Sequence, residues 1–583
     1  MDFLCPLTII LLLFIPLISI FFSIFFSISS SSTKSSTTLR PYPIIGNLPQ
    51  FLLNRHHFLS WMTSLLSSSH NLTITFHRPG NVRGLITANP SNLHHYLKSH
   101  SPNFPKGPRV IHHLQDFLGR GIFNVDGPLW LSQRKTASFE FNTRSLRNFI
   151  VLIVHHELHS RLLPLLLNSS RSSSPIDLQD LLERFAFDNV CKLAFNHDPV
   201  SLSDAPESRF ARAFKIAAEL SAGRFRYAVP KFWVITRLFN IGSERKLKES
   251  IAVVHDFATQ IIKSKKGKPN ASAVAAADDD LLSRFLANEE NNSDEFLRDI
   301  VISFILAGRE TTSSALSWFF WLISLNTTVE DKIIQEISSI RARKADDKEV
   351  FEFEELREMH YLHASITEAM RLYPPVPVNS AMCMNDDVLP DGSVIKKGMF
   401  MAYNSYAMGR MESIWGKDCL EFKPERWLDN NGVFRPESPY KYPVFHAGPR
   451  MCLGKEMAYI QMKSIVACVL ERFRVDVVEK EKIPEHTLSL TLRMKHGLMD
   501  ATFKDLAHLL EEQPFFEDAD LVQTRDRWWS IGHDARDKKR WSLNANELCI
   551  NRMLLSWFDA LADGAKARLE DTTATVRRSL EFL

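Results

Sequence analysis

One cysteine sits in a setting that can do chemistry: Phe445-His-Ala-Gly448-Pro-Arg450-Met-Cys452-Leu-Gly454. The pattern reads as a thiolate at the turn between a loop and a helix expected over 455–473. Two glycines allow positive φ and close approach of the backbone to a flat ligand. A helix N-terminus behind Cys452 is expected to lower the thiol pKa and stabilise the anion. Arg450 can meet a carboxylate, and Phe445 can pack beside the sulfur. A thiolate axial ligand to haem needs this combination, because it pushes electron density toward iron and favours O–O cleavage. The plainer alternative is a buried, inert cysteine.

Three further constellations accompany it. A long apolar helix is expected between Asp294 and Asn326, holding Ala307-Gly308-Arg309-Glu310-Thr311-Thr312. An alcohol with a carboxylate behind it can act in proton transfer, although a helical threonine can also simply bond back to its own turn. Glu368 and Arg371, three apart, share a helix face. Such pairs are commonly solvated salt bridges of small value, but Pro424-Glu425-Arg426-Trp427 follows about fifty residues later, ahead of the cysteine loop. Trp130 and Arg134, four apart, face the same way on another expected helix, where a surface cation–π contact is the simpler reading.

Together and in this order, the four segments resemble the cytochrome P450 superfamily. The resemblance implies its fold, mainly α with small β-sheets (α+β), and a haem b cofactor ligated through Cys452. It implies that Ala307 and Gly308 let the long helix pass close over the haem, with Thr311 and Glu310 relaying protons during oxygen activation. Arg450, Trp130 and Arg134 become donors to the haem propionates. Glu368, Arg371 and Arg426 become a buried structural triad beneath the cysteine loop.

Length and composition agree. Of 583 residues, roughly 500 suit one large domain. A net charge of +3 gives no argument for nucleic acid. The seven cysteines are odd in number and scattered, without zinc spacing, which suits a reducing compartment. Residues 1–28 are nearly all apolar from Phe3 onward, and about 26 residues span roughly 39 Å as helix, enough to cross a bilayer. The start carries Asp2 and the flanking cations, Lys34 and Arg40, lie after the span. A signal anchor in the endoplasmic reticulum with a cytosolic catalytic domain is therefore expected. Residues 29–47 read as a Ser/Thr linker and proline hinge, 48–498 as the catalytic domain, and 499–583 as a tail without recognisable resemblance, either an interaction module or, the favoured reading, translated sequence foreign to the gene. Residues 72–90 suggest a small sheet, joined by 394–402, and 263–280 a polar surface loop.

The stretch from Asn103 to Asp126 lies where the superfamily builds its pocket roof. It combines apolar bulk, including Phe117, with Lys106, Arg109 and His112. Phe304 on the long helix and Val376 and Val378 supply further walls. An apolar channel with cations at its mouth suits an acyl chain ending in a carboxylate. Runs such as Asn103-Phe-Pro-Lys-Gly, Gly121-Ile-Phe-Asn-Val-Asp-Gly and Ala407-Met-Gly-Arg-Met-Glu-Ser-Ile-Trp-Gly resemble the plant fatty-acid ω-hydroxylase branch. That branch implies terminal hydroxylation of medium- or long-chain fatty acids, with ω-oxidation of jasmonoyl-isoleucine as the alternative. A haem-thiolate isomerase or lyase is disfavoured by Glu310-Thr311, and a non-catalytic haem protein by the intact motifs. No Gly-x-Gly-x-x-Gly follows a strand. Electrons from NADPH are therefore expected through a separate partner, NADPH–cytochrome P450 reductase, with membrane lipid as the other neighbour.

Overall fold

The computed structural model describes residues 39, 41–42, 45–79, 82–141, 149, 153–172, 174–203, 207–226, 232–267, 280–287, 293–343, 351–477, 482–499 and 501–505. The expected anchor, the Ser/Thr linker, the Arg40 end of the hinge, the centre of the 263–280 loop and the tail after residue 505 lie outside them. Among the described residues no helix is long and apolar enough to cross a membrane.

Helices dominate. They include α1 (Phe58–Ser68), α2 (Gly107–Leu118), α3 (Gly127–Ser138), α4 (Leu178–Phe195), α5 (Arg209–Gly223), α6 (Phe232–Leu238), α7 (Gly242–Lys266), α8 (Asp294–Ile305), α9 (Thr311–Leu325), α10 (Thr327–Ala342), α11 (His360–Leu372) and α12 (Lys455–Leu470). Several starts are dictated by side chains that accept from orphan amides. Asp177 caps α4, Ser208 caps α5 and Ser293 caps α8. The long helix expected over 294–326 is two helices, α8 and α9, joined by a π-helical turn at Leu306–Glu310. The extra residue of a π-turn opens the ladder locally, a deformation that recurs at functional sites.

Among the described residues, ten short strands form four small sheets: β1 (Thr73–Arg78), β2 (Val82–Thr87), β3 (Val378–Met382), β4 (Asp387–Val388), β5 (Val394–Ile395), β6 (Phe400–Asn404), β7 (Phe473–Val477), β8 (His486–Leu488), β9 (Leu492–Met494) and β10 (Ala501–Asp505). The largest has the order β1-β2-β6-β3, with β2 and β6 parallel and Leu85 opposite Met401. The expected strand over 394–402 thus divides. Val394–Ile395 closes a separate hairpin with β4, and only Phe400 onward joins the main sheet.

The core lies where α9, α11 and α12 meet. α9 is apolar all round and buried on every side, with Trp318 stacked on Tyr373 at 4.0 Å. β10 packs there too. Ala501–Asp505 pairs antiparallel with β7, and Phe503 is buried against Phe473. The folded unit therefore runs past residue 498, into what the sequence pattern leaves to the tail. Truncating Phe503 to Ala should destabilise the full-length protein by about 3–5 kcal/mol in chemical denaturation.

Candidate haem-thiolate site

The amide of Cys452 donates to the Phe445 carbonyl at 2.9 Å, closing the loop just ahead of α12. Gly448 sits at φ +64°, and a Cβ there would lie 1.8 Å from the Leu97 carbonyl, so only glycine fits. His446 also has positive φ, at +62°. Cys191, Cys383, Cys419 and Cys468 are buried within helices and loops, whereas Cys452 is exposed although deeply set, so its sulfur faces an internal space. Burial pushes its thiol pKa up, against the pull of the Gly454 amide, Arg134 and Lys455. The expected lowering is thus outweighed by desolvation in the protein alone.

Beside the loop lies a cavity of about 460 Å³, walled by Tyr96, Lys106, Trp130, Asn379, His446 and Arg450 among others. The Trp130 ring lies between two guanidiniums, Arg450 at 4.4 Å and Arg134 at 5.8 Å from its centroid. Arg134 also donates to the Met451 carbonyl at 2.8 Å. Arg450 is paired with Asp126 at 2.6 Å, and Asp126 accepts the Lys106 and Gly107 amides at the start of α2. Lys106 donates to Asn379 at 3.1 Å. Burial, with Arg450 nearby, lowers the Lys106 pKa to about 8, while Asp126 supports its charge. Burial holds His446 near 4, so it is neutral. Lys106, Arg134 and Arg450 face a single carboxylate here. That leaves an excess of two positive charges around an exposed thiol, which is the complement of a flat dicarboxylate such as haem. Sequence pattern alone placed Lys106 at the substrate mouth and Asn379 on a pocket wall, and gave no role to Asp126, Tyr96 and His446. They come from four distant segments, and no spacing links them.

Across the π-turn, Ala307, Gly308 and Thr311 are half-exposed in a helix otherwise buried from residue 300 to 324. Their spacing puts them along one opened side. Thr311 Oγ1 donates to the Ala307 carbonyl at 2.6 Å. Gly308 also serves helix packing, because a Cβ there would come within 2.6 Å of Val190 on α4. Glu310 is buried on another side, paired with Arg309 at 2.5 Å. Arg309 reaches Glu183 at 2.9 Å, and Glu183 also meets Arg493 of β9. No hydrogen bond joins Glu310 to Thr311 among the described contacts, so the two expected proton-handling residues are adjacent in sequence but not coupled. Glu183 and Arg493 went unread for the same reason as Asp126.

Glu368, Arg371 and Arg426 come together. Arg371 bonds Glu368 through two nitrogens at 2.7 and 2.8 Å, and Arg426 Nε reaches it at 2.8 Å. Phe117 is fully buried at the end of α2 and Phe304 is buried on α8, both in one apolar cluster; Val376 and Val378 are half-buried.

A helix-rich fold with a glycine-fitted cysteine loop, a π-distorted helix and a cationic cavity beside that loop has the parts of a haem-thiolate oxygenase. The Cytochrome P450 family model matches residues 37–499. The chain is 51% identical over 457 residues to Cytochrome P450 CYP94D108 of Paris polyphylla, covering 78% of this chain and 90% of that protein. It is 46% identical over 445 residues to Cytochrome P450 94A1 of Vicia sativa, covering 75% and 85%. It is 46% identical over 482 residues to Cytochrome P450 94B3 of Arabidopsis thaliana, covering 81% and 93%. The chain belongs to the cytochrome P450 family. It is a haem-dependent monooxygenase that takes O₂, draws electrons from a redox partner and acts on a small molecule.

Gly448→Ala should abolish the reduced carbon monoxide difference band as completely as Cys452→Ala does, because the Leu97 carbonyl cannot yield to a Cβ. A pH effect follows from α2. Burial lowers the His113 pKa to about 4, against support from the Arg109 carbonyl. The unfolded chain then binds a proton between about pH 6.5 and 4 that the folded one does not, so stability is lost as pH falls through that window. Melting temperature across it should fall less steeply for His113→Phe.

Proposed function

We propose that this monooxygenase hydroxylates the ω carbon of medium- and long-chain fatty acids. Electrons come from NADPH through NADPH–cytochrome P450 reductase, and the bound group is haem b. The observation that carries the reading is the chemistry of the pocket. The apolar residues proposed for that pocket, Phe117, Phe304, Val376 and Val378, are buried or half-buried, and the cations Arg78 and Arg109 are half-buried on β1 and α2. A chain with one charged end suits that polarity. The motif runs shared with the fatty-acid ω-hydroxylase branch favour it over jasmonoyl-isoleucine, which also bears a carboxylate.

Haem held by Cys452 supplies activation of dioxygen. The protein's own residues do the rest. Lys106, Trp130, Arg134 and Arg450 would hold the two propionate carboxylates. The side of the helix at Ala307 leaves room beside it, and Thr311 holds a proton donor position through its hydroxyl. Glu310 is held by Arg309 on another side of the helix, so any part it takes in proton supply needs a link other than a direct bond to Thr311. The packed aromatic wall leaves the chain end as the part that reaches the reacting centre, which is needed because terminal C–H bonds are the least reactive.

Membrane attachment belongs to the same proposal. The apolar run at residues 1–28 would anchor the chain in the endoplasmic reticulum. Ile235 and Leu238 of α6, with Phe239 and Ile241 just after it, expose apolar side chains that suit a lipid surface.

Full-length protein in microsomes with the reductase should convert dodecanoate to its ω-hydroxy acid. Absence of any hydroxylated fatty acid across a chain-length series would overturn the assignment. In Thr311→Ala, product formation should fall on the order of 100-fold while NADPH consumption continues. Unchanged coupling would remove Thr311 from the proton path.

A further inference from the structure

Two imidazoles and a carboxylate come together at the turn whose Leu97 carbonyl abuts Gly448. His95 opens a π-helical turn at His95–Ser99, and His100 follows its end. In an α-helix, residues five apart diverge by about 140°. The i→i+5 bonding of a π-turn closes that gap, and here the His100 amide donates to the His95 carbonyl at 2.8 Å. The two rings stack, with centroids 3.9 Å apart and planes within 16°.

Asp387 of β4 completes the group. Its Oδ2 lies 3.0 Å from His95 Nε2, and one donor atom from each of His95, His100 and Asp387 lies within 4.8 Å of the others. Although burial opposes it, the hydrogen bonds from His95, the Val388 amide and Asn103 hold the Asp387 carboxyl below its usual range, so it is an anion. Among the described residues Asp387 has no lysine or arginine partner, whereas neighbouring Asp386 has Lys396. Asn103 stands behind it: Nδ2 reaches the same Asp387 oxygen at 3.3 Å, and Oδ1 accepts the Asn385 amide at 2.8 Å. Partners of this kind orient a ligating carboxylate. His95 is only 9% exposed, so its place is fixed, while the His100 side chain is exposed and free to turn. Neighbouring ligands of a tetrahedral zinc stand about 3.4 Å apart, so a rotation of the His100 ring out of the stack closes the set. The other such group among the described residues, Glu157, Asp188 and Asp198, is all carboxylate and already holds Arg161.

We propose that His95, His100 and Asp387 bind a divalent transition metal of the zinc type, and that the metal ties the π-turn to β4. Two imidazole nitrogens and one carboxylate oxygen suit Zn²⁺, whereas Ca²⁺ and Mg²⁺ ask for oxygen ligands. The metal takes the place of the proton between His95 Nε2 and Asp387, and the remaining position falls to solvent beside His100. Tyr96 and Leu97 follow His95 directly; one walls the cavity by the cysteine loop and the other backs Gly448. Metal at His95 therefore braces that loop from behind. The site is separate from the haem cradle and does not depend on which substrate is oxidised.

Titration calorimetry of Zn²⁺ into full-length, haem-loaded protein tests this, with Cys452 already taken by iron. The wild type should bind one equivalent that excess Ca²⁺ or Mg²⁺ does not displace, and its melting temperature should rise on zinc addition. Zinc-edge X-ray absorption should report imidazole and carboxylate ligands at about 2.0–2.2 Å. His100→Ala and Asp387→Asn should lose both the binding and the thermal shift, and Asn103→Ala should weaken binding roughly 10- to 100-fold. The carbon monoxide band reports that each variant keeps its haem. Should Asp387→Asn fail to fold, His100→Ala, which alters an exposed side chain, decides alone. No stoichiometric zinc uptake by the wild type overturns the site, and so does uptake that His100→Ala leaves unchanged.

Discussion

A single carboxylate, Glu368, organises the half of the molecule that carries the cysteine. It has no exposure to solvent, and it accepts from Arg371, Arg426, the Trp427 indole and the Lys423 amide. The Asp418 carboxylate, 3.4 Å from Arg426, balances the second guanidinium, and the carbonyls of Cys419, Glu421, Asp418 and Gly409 accept the remaining donors. A buried ionic group of this kind is not a large net source of stability, but removing one partner strands the others and costs about 3–5 kcal/mol. It therefore specifies one arrangement of α11 against the 424–427 turn. From α11 the constraint passes on through hydroxyls. The Tyr442 hydroxyl donates to the Thr367 carbonyl, and the Thr367 hydroxyl meets Tyr459 on α12 at 2.9 Å. The Tyr459 ring packs on Phe445, whose carbonyl holds the Cys452 amide. The position of the thiol is thus the last link of a chain that starts at a buried charge.

A second buried ionic group answers it from the opposite side. Glu183, Arg309, Glu310 and Arg493 are balanced in charge and tie α4, the π-turn and β9 together. Burial raises the Glu183 pKa, and Arg309 and Arg493 counter it. The π-turn puts Glu310 into this group while leaving Thr311 open to the interior, so one helical irregularity separates the acid from the alcohol. Gly308 has its own reason to be small, since α4 crosses there with Val190 in contact. Residues adjacent in a motif thus answer to different neighbours.

That division explains what could be read from sequence. Glu368 with Arg371, and Trp130 with Arg134, were legible because helical spacing sets their geometry locally. Cys452 was legible because its partners, Phe445 and Gly448, lie within a few residues. The overall helical character followed from long apolar periodic stretches. By contrast, Lys106, Asp126 and Asn379 meet only through the packing of α2 against β3, and residues 106 and 379 share no local pattern. The strands were harder still. Val394–Ile395 and Phe400–Asn404 look alike in composition, yet they join different sheets, because pairing partners and not propensity decide strand membership. β10 was missed because it follows the closing hairpin and borders a tail of unfamiliar composition. Even the thiol's ionisation was misjudged, since the local helix and cations act as expected but burial outweighs them.

The two cationic regions show why the same residue type has to be sorted by its partners. Arg450 and Lys106 lie in a cavity that already contains Asp126, so each positive charge there has a specific geometric task and a partial counter-charge. Arg78 donates to the Phe225 carbonyl and lies over the Phe51 ring at 5.8 Å, and Arg109 lies over the Phe400 ring at 4.4 Å. Aromatic faces support a guanidinium by about 0.5–2 kcal/mol, less than the cost of desolvating it without an anion. The first region is therefore a cradle whose cations are fixed by a counter-charge and hydrogen bonds within the fold, whereas the second is held against aromatic rings and a backbone carbonyl. The cations beside the cysteine loop are thus fixed by partners drawn from separate segments and not by their sequence neighbours.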